Sequence, residues 1–279
     1  MQSRLGTPGE CLARSPVQLT NYTLRYSGLP QAFDGLRIAQ LSDLHGIWYG
    51  GDNTPLLRLM EQAHPDLIAV TGDMMNSYRK VDCSSFLALA RLLTARWPVA
   101  FVVGNHEQRM ERQALQSFLD TLRGLGVWVL DNETRSFSHR GQTLALAGLW
   151  THLRYYKRAY HPADRNILLT AQTVQKLLGK PDPQRFTLLL THNPLYFEAY
   201  SQWGAQLVLC GHIHGGAVEI PGVAGLLSPE RAFFPRYSAG VYERQSSRMV
   251  VSRGLCSGSP LVRIHNPREV VLVTLRSCR

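Results

Sequence analysis

Cysteine is scarce and unpatterned in this chain. Cys11, Cys83, Cys210, Cys256 and Cys278 form an odd set with no Cys-x-x-Cys spacing, which indicates neither a disulfide framework nor a zinc ribbon and is satisfied by free thiols in a reducing compartment. Long apolar runs are missing too: no stretch approaches the ~20 residues of a membrane-spanning helix. Residues 1 to 15 are too polar and too rich in breakers for the hydrophobic part of a signal peptide, so the expectation is a soluble, cytoplasmic protein. Negative charge is in short supply, with 20 acidic against 30 basic side chains and a net charge of +10. Such a field attracts phosphates, nucleic acid or an anionic membrane surface without choosing among them. The glycines at Gly211, Gly215 and Gly216 lack the Lys-Ser/Thr ending of a phosphate-cradling P-loop, and repeats, low-complexity tracts and long linkers are absent.

What is present is a core-forming pattern, 44% hydrophobic over 279 residues, enough for one large domain. Residues 1 to 15 read as a flexible lead-in and residues 16 to 279 as the folded domain. Short apolar runs at Leu36 to Leu41, Leu67 to Val70, Val99 to Val103, Val127 to Leu130, Leu144 to Leu149, Phe186 to Leu190 and Leu207 to Leu209 predict buried strands. Between several of them, Leu56/Leu57/Met60/Ala63, Phe86/Leu87/Ala90/Leu93 and Leu115/Phe118/Leu119/Leu122 space as helix faces. Alternating strand and helix implies a largely parallel sheet. The β-rich tail, at Met249 to Val251, Leu261 to Ile264 and Val270 to Leu275, predicts a second, more antiparallel sheet packed on the first.

Polar clusters follow five of the predicted strands directly: Ser42-Asp43-Leu44-His45, Thr71-Gly72-Asp73, Gly104-Asn105-His106-Glu107, Thr191-His192-Asn193 and Gly211-His212-Ile213-His214. Loops beyond the carboxyl ends of parallel strands share one edge of a sheet, so the five should converge there. Asp, Asn and His supply oxygen and imidazole nitrogen, which suit hard-to-borderline divalent metals. In Asp43-x-His45 and His212-x-His214 an extended backbone would turn both side chains to one side. The glycines before Asp73, Asn105 and His212 suggest tight turns where the chain leaves each strand.

The ordered set D-x-H, G-D, G-N-H-[D/E], H and G-H-x-H resembles the signature of calcineurin-like metallophosphoesterases, and the likeness runs from about Leu29 to Leu275. Leu-Pro-x-x-Phe-Asp-Gly-Leu-Arg-Ile at 29 to 38, Gly-His-Ile-His-Gly-Gly at 211 to 216 and Ser-Arg-Gly-Leu at 252 to 255 look like a branch of bacterial phosphodiesterases, often membrane-anchored, whose relatives include hydrolases of UDP-2,3-diacylglucosamine. The resemblance implies an α/β fold, a four-layer sandwich of two mixed β-sheets flanked by helices. It also implies two divalent ions (Mn, Fe or Zn), with Asp43, His45 and His214 on the first, Asn105, His192 and His212 on the second, and Asp73 bridging. His106 would not bind metal but would lie beside the attacked phosphate, oriented by Asp43 and acting on the leaving oxygen. A hydroxide bridging the ions would be the nucleophile.

By this reading the chain is a phosphoesterase, most simply of phosphodiesters. A pyrophosphatase of UDP-2,3-diacylglucosamine type and a non-catalytic scaffold are the alternatives. Retention of every ligand and of His106 argues against the scaffold, and no nucleic-acid-binding module accompanies the site, so no specific nucleic acid is expected. Peripheral contact with an anionic membrane stays open. The family's usual Asp is Glu107 here, which should matter little outside the ligand set, and Trp150-Thr151-His152-Leu153 stands where relatives of this branch more often place an acidic pair. The basic and aromatic stretch Leu153 to Tyr160 reads by default as a solvated helix face; its place after the strand Leu144 to Leu149 raises the alternative that it borders the site, with residues 150 to 165 as a substrate lid or membrane contact. His64, His139, His152, His161 and His265 are assigned to surfaces or loops, and Cys210 to packing.

Overall fold

A computed structural model describes residues 16–76, 81–156, 168–216, 236–256, 263 and 265–278. Among the described residues, twelve strands are arranged in two six-stranded sheets. The first contains β1 (Val17–Tyr26), β2 (Arg37–Leu41), β3 (Leu67–Val70), β4 (Val99–Phe101), β5 (Trp128–Val129) and β12 (Arg268–Ser277), in the order β1-β12-β2-β3-β4-β5. The second contains β6 (Glu133–His139), β7 (Gln142–Leu149), β8 (Thr187–Thr191), β9 (Leu207–Cys210), β10 (Gly240–Arg244) and β11 (Ser247–Val251), in the order β10-β11-β9-β8-β7-β6. Strands β2 to β5 are parallel, as are β7, β8, β9 and β11, while β12 runs against β2, and β6 and β10 are antiparallel edges.

Alternation along the strands makes the layers. In β3, Leu67 and Ala69 face the other sheet, whereas Ile68 and Val70 face the helices α1 (Thr54–Ala63), α2 (Ser84–Thr94) and α3 (Arg112–Gly124). Likewise Leu188, Leu190, Leu207 and Leu209 point between the sheets, and Leu189, Val208 and Cys210 meet α4 (Ala171–Leu178) and α5 (Phe197–Trp203). Because both faces of the central strands are covered, their runs are apolar throughout rather than alternating with polar residues. Cys210 is fully buried among Tyr200, Met249 and other members of that outer core, as a small hydrophobe. The three expected helix faces are buried as predicted at Leu56, Leu57, Met60 and Ala63, at Phe86 and Leu93, and at Phe118, Leu119 and Leu122.

The tail departs from expectation. Met249 to Val251 lies in β11, parallel to β9 in the second sheet, whereas Val270 to Leu275 lies in β12, inserted between β1 and β2 of the first. The C-terminal segments therefore complete both sheets instead of building one, and the second sheet is founded on β7, β8 and β9. Of Leu261 to Ile264, only Arg263 is among the described residues, and residues 1 to 15 lie outside them. No helix of the described residues is long and apolar enough to cross a membrane.

Candidate metal centre

Three of the polar clusters leave the first sheet at the ends of β2, β3 and β4, and two leave the second at the ends of β8 and β9. They meet where the carboxyl edges of the two sheets face each other, so the site is shared between sheets and does not lie on the edge of one. The loops are knitted by backbone bonds: Asp43 N–H donates to Gly72 O at 3.0 Å, His45 N–H to Asp73 O at 3.1 Å, and Gly211 N–H to His192 O at 3.2 Å.

Asp43, His45, Asp73, His212 and His214 all have positive φ, between 50° and 74°. The two x-spaced pairs are thus presented by left-handed backbone, not by the extended segment that the spacing suggested. Non-glycine residues are held in that region at a cost of order 1–3 kcal/mol each, and such strain concentrates where function over-determines the geometry. Of the three glycines before Asp73, Asn105 and His212, only Gly72 has a positive φ, at +88°. Gly211 is needed for space, since a Cβ there would overlap Ser42 Oγ and the Asp43 carboxylate. A Gly211→Ala substitution is accordingly expected to displace Asp43 and lower metal content, measured by elemental analysis of the purified protein.

All eight residues singled out in the sequence are buried, and the donor atoms of seven of them, all but Asn105, are brought together. His45 Nε2 and His214 Nε2 lie 3.3 Å apart, and Asp43 Oδ1 is 3.9 Å from the first and 3.5 Å from the second. His192 Nε2 is 3.1 Å from Asp73 Oδ2 and 3.9 Å from Asp43 Oδ1. Ligand-type atoms converge in three overlapping groups, Asp43/His45/His214, Asp73/His192/His212 and His45/Asp73/His106, within 4.8 Å in each. His106 N–H donates to Asp73 Oδ1 at 2.7 Å and its Nε2 lies 3.9 Å from Asp73 Oδ2, so Asp73 holds this residue through its backbone.

A metal fits these donors on the structure's own terms. His192 Nδ1 donates to Thr71 O at 2.6 Å and His214 Nδ1 to Cys256 O at 2.8 Å. Those bonds set the tautomers that leave each Nε2 lone pair facing the cluster, as metal-ligating imidazoles require. Asn105 Oδ1 is buried with no hydrogen-bond partner among the described residues, which an interior tolerates poorly unless something else satisfies it.

Charge follows the same plan. Burial drives the His45 and His214 imidazoles down to about 3, helped by each one's cationic neighbours, and lowers His106 as well. Burial acts in the same sense on His192, but the Asp73 carboxylate outweighs it and raises the group to about 9. Burial alone would raise Asp73, yet the surrounding histidines hold it well below the carboxylate range. In protein stripped of metal, an unfolded chain binds more protons than the folded one between about 3 and 6.5 at His45 and His214, so stability rises with pH there. At His192 the folded chain binds more between 6.5 and about 9, so stability falls across that window. The melting temperature of chelator-treated protein should therefore peak near pH 6.5 and decline on both sides, and a flat profile from pH 5 to 7 would contradict neutral buried imidazoles.

Glu107 is the residue whose importance the sequence did not reveal. It is fully buried, with Oε2 accepting from Asp73 N–H at 2.9 Å and Gly104 N–H at 2.8 Å, and Oε1 from Met74 N–H at 2.7 Å and Met75 N–H at 3.3 Å. Both oxygens are thus used to fold the Asp73 loop onto the Asn105 loop. A Glu107→Gln substitution turns an NH₂ toward two of those donors and should cost roughly 2–6 kcal/mol, read as a lowered melting temperature. Little local in the sequence marks the role, because apart from Gly104 its partners are the backbone amides of Asp73, Met74 and Met75, more than ~30 residues away. Tyr156 is a second addition: its ring stands edge-on to His212 at 5.0 Å and lies 6.1 Å from His192. It belongs to the basic and aromatic stretch from Leu153, whose part from Lys157 to Tyr160 lies outside the described residues. His64, His152 and His265 are exposed and His139 stacks on Phe137, while His161 is outside the described residues.

A profile of the family described as calcineurin-like phosphoesterase matches residues 36–216, which span all five clusters. The chain belongs to that family. Calcineurin-like phosphoesterases related to it include the uncharacterized metallophosphoesterase YkuE of Bacillus subtilis, 26% identical over 94% of this chain and 86% of that protein. Phosphodiesterase YaeI of Escherichia coli is 25% identical over 69% of this chain and 64% of its own. A candidate 5'-nucleotidase from Staphylococcus aureus shares the fold at a TM-score of 0.50 and 17% identity, over 80% of this chain and 49% of that one. The present calcineurin-like phosphoesterase is a metal-dependent phosphoester hydrolase built as two mixed sheets between helices.

Proposed function

We propose that this phosphoesterase hydrolyses phosphodiesters at a two-metal centre, with Asp43, His45 and His214 holding one cation, Asn105, His192 and His212 the other, and Asp73 reaching both. The observation that carries the proposal is the pairing of two donor groups, Asp43/His45/His214 and Asp73/His192/His212, on either side of the His192 contacts to both carboxylates. When bound, divalent cations supply charge to the phosphoryl oxygens and make water acidic enough to attack at neutral pH.

The chain's own part is positioning. Asp73 draws the two groups together, and Glu107 keeps its loop in place through four backbone amides. The carbonyls of Thr71 and Cys256 hold the protons on His192 Nδ1 and His214 Nδ1, so those rings keep their orientation during turnover. His106 is anchored by its backbone, which leaves the imidazole to donate a proton or hydrogen bond toward the leaving oxygen. Reduced solvent access around these buried groups strengthens each polar contact.

Chelator-treated protein is expected to lose hydrolysis of bis(p-nitrophenyl) phosphate and to regain it with Mn²⁺, with the diester preferred over p-nitrophenyl phosphate in kcat/KM. Activity indifferent to chelator would reject metal dependence at this centre, and a preference for the monoester would reject the diester assignment. Adding a pyrophosphate-linked nucleotide lipid to the panel ranks the alternative substrate directly.

A further inference from the structure

A second cation-rich feature stands at the other end of the sandwich. A cavity of about 450 Å³ is walled by Phe186 and Gln206, which precede β8 and β9, and by Arg25, Tyr26, Arg185 and Arg248. Strand β8 carries the chain from this wall to His192. At the ~3.3 Å rise of a parallel strand, the six steps from Phe186 to His192 separate the cavity from the metal centre by about 20 Å.

Its charges are unbalanced. Three arginines, Arg25, Arg185 and Arg248, line it against a single acidic residue, Glu243, among the described lining residues. Arg248 is preset: Nε donates to Glu243 Oε1 at 2.7 Å, another nitrogen donates to the Arg25 carbonyl, and the group lies over the Tyr26 ring at 4.7 Å. Neither Arg25 nor Arg185 has a carboxylate within ion-pair distance among the described residues. Arg185 is half-buried, uses one nitrogen on Ser136 Oγ at 2.9 Å and Leu144 O at 3.0 Å, and keeps a buried Nε with no acceptor. The nearby carboxylate of Asp34 is committed to Arg276 at 3.2 Å and to Ser277 N–H at 2.9 Å.

A half-buried guanidinium such as that of Arg185 is ordinarily paired, because leaving such a charge uncompensated in a partly desolvated place is costly, and the exposed Arg25 adds a second positive charge at the rim. The missing partner here has a definable chemistry. Two charges remain after Glu243 is matched, which is the charge a phosphate monoester approaches at neutral pH. The planar guanidinium fork is the side chain best suited to phosphate oxygens, and the volume leaves room for an organic group beyond the phosphate. We propose that this cavity is a binding site for a phosphate dianion, free or as a monoester, separate from the metal centre.

Calorimetric titration of the Mn²⁺-loaded full chain with inorganic phosphate and with phenylphosphonate, a dianion that is not hydrolysed, tests the proposal. Asp73→Asn removes binding at the metal centre and should leave one saturable event. Adding Arg25→Gln and Arg185→Gln to that protein should weaken the remaining event by at least about tenfold. The arginine variants alone should keep diester hydrolysis. Tighter binding of phenylphosphonate identifies a monoester as the ligand and equal binding identifies free phosphate, and either supports the site. Arg25 is exposed, so Arg25→Gln alone keeps the test valid if Arg185→Gln does not fold. An isotherm unchanged by the arginine substitutions, or no saturable binding in the Asp73→Asn protein, would overturn the proposal. If Asp73→Asn instead retains both events, the two-metal reading fails while the arginine variants still judge the cavity.

Discussion

Asp73→Asn protein is expected to be folded, depleted in metal and inactive, with hydrolysis of an aryl diester reduced by more than about 10⁴-fold, beyond what loss of a single general acid would cause. The substitution is nearly isosteric. Its remaining carbonyl oxygen can still accept from His106 N–H, as Oδ1 does at 2.7 Å, so the loop that carries His106 keeps its anchor. The loss falls on the other oxygen, Oδ2, which lies 3.1 Å from His192 Nε2 and 3.9 Å from His106 Nε2. An NH₂ in that place carries no negative charge and offers no lone pair to a cation. The residue also supplies the field that raises His192 to about 9, so the metal-free variant should lose the alkaline decline in melting temperature. Metal content measured together with turnover checks the assignment, and full metal occupancy in an inactive variant would contradict a ligand role.

His106→Gln should separate chemistry from metal binding. The backbone bond to Asp73 survives any side chain at this position, while the ring makes an edge-on contact with His45 at 4.5 Å and its Nε2 lies 3.9 Å from Asp73 Oδ2. Both cations should therefore remain while kcat falls by about 10² to 10⁴-fold. The geometry also supplies the competing outcome, since His45, Asp73 and His106 form one of the three groups whose donor atoms converge. Metal loss equal to that of Asp73→Asn would make His106 a ligand. Retained metal with a slowed reaction would leave it as the group that acts on the leaving oxygen.

Much of this architecture was legible in the residues. Apolar runs such as Leu67 to Val70 and Leu207 to Leu209 announce strands buried on both faces, and Leu56, Leu57, Met60 and Ala63 announce a helix face, because burial of neighbouring side chains is a local matter of period. The polar clusters were legible as well, since each stands at the end of such a run. The conformation of the donors was not: Asp43, His45, His212 and His214 adopt left-handed backbone that two-residue spacing does not foretell. Strand β1 went unread because its alternation changes phase, with Val17 and Leu19 half-buried on one parity and Tyr22, Leu24 and Tyr26 covered on the other, and its partner β12 lies some 250 residues away.

By itself, the sequence determined the kind of chemistry, through the identity and order of its oxygen and nitrogen donors, and the alternation of strands with helices. Tertiary structure alone decided that the tail completes both sheets, that the site is shared between them, and that Glu107 binds two of its loops together. The reason is the range of the forces concerned. Donor identity and hydrophobic period are written in adjacent residues, whereas the partner of a backbone amide or of a strand edge is settled only when distant segments exclude water together.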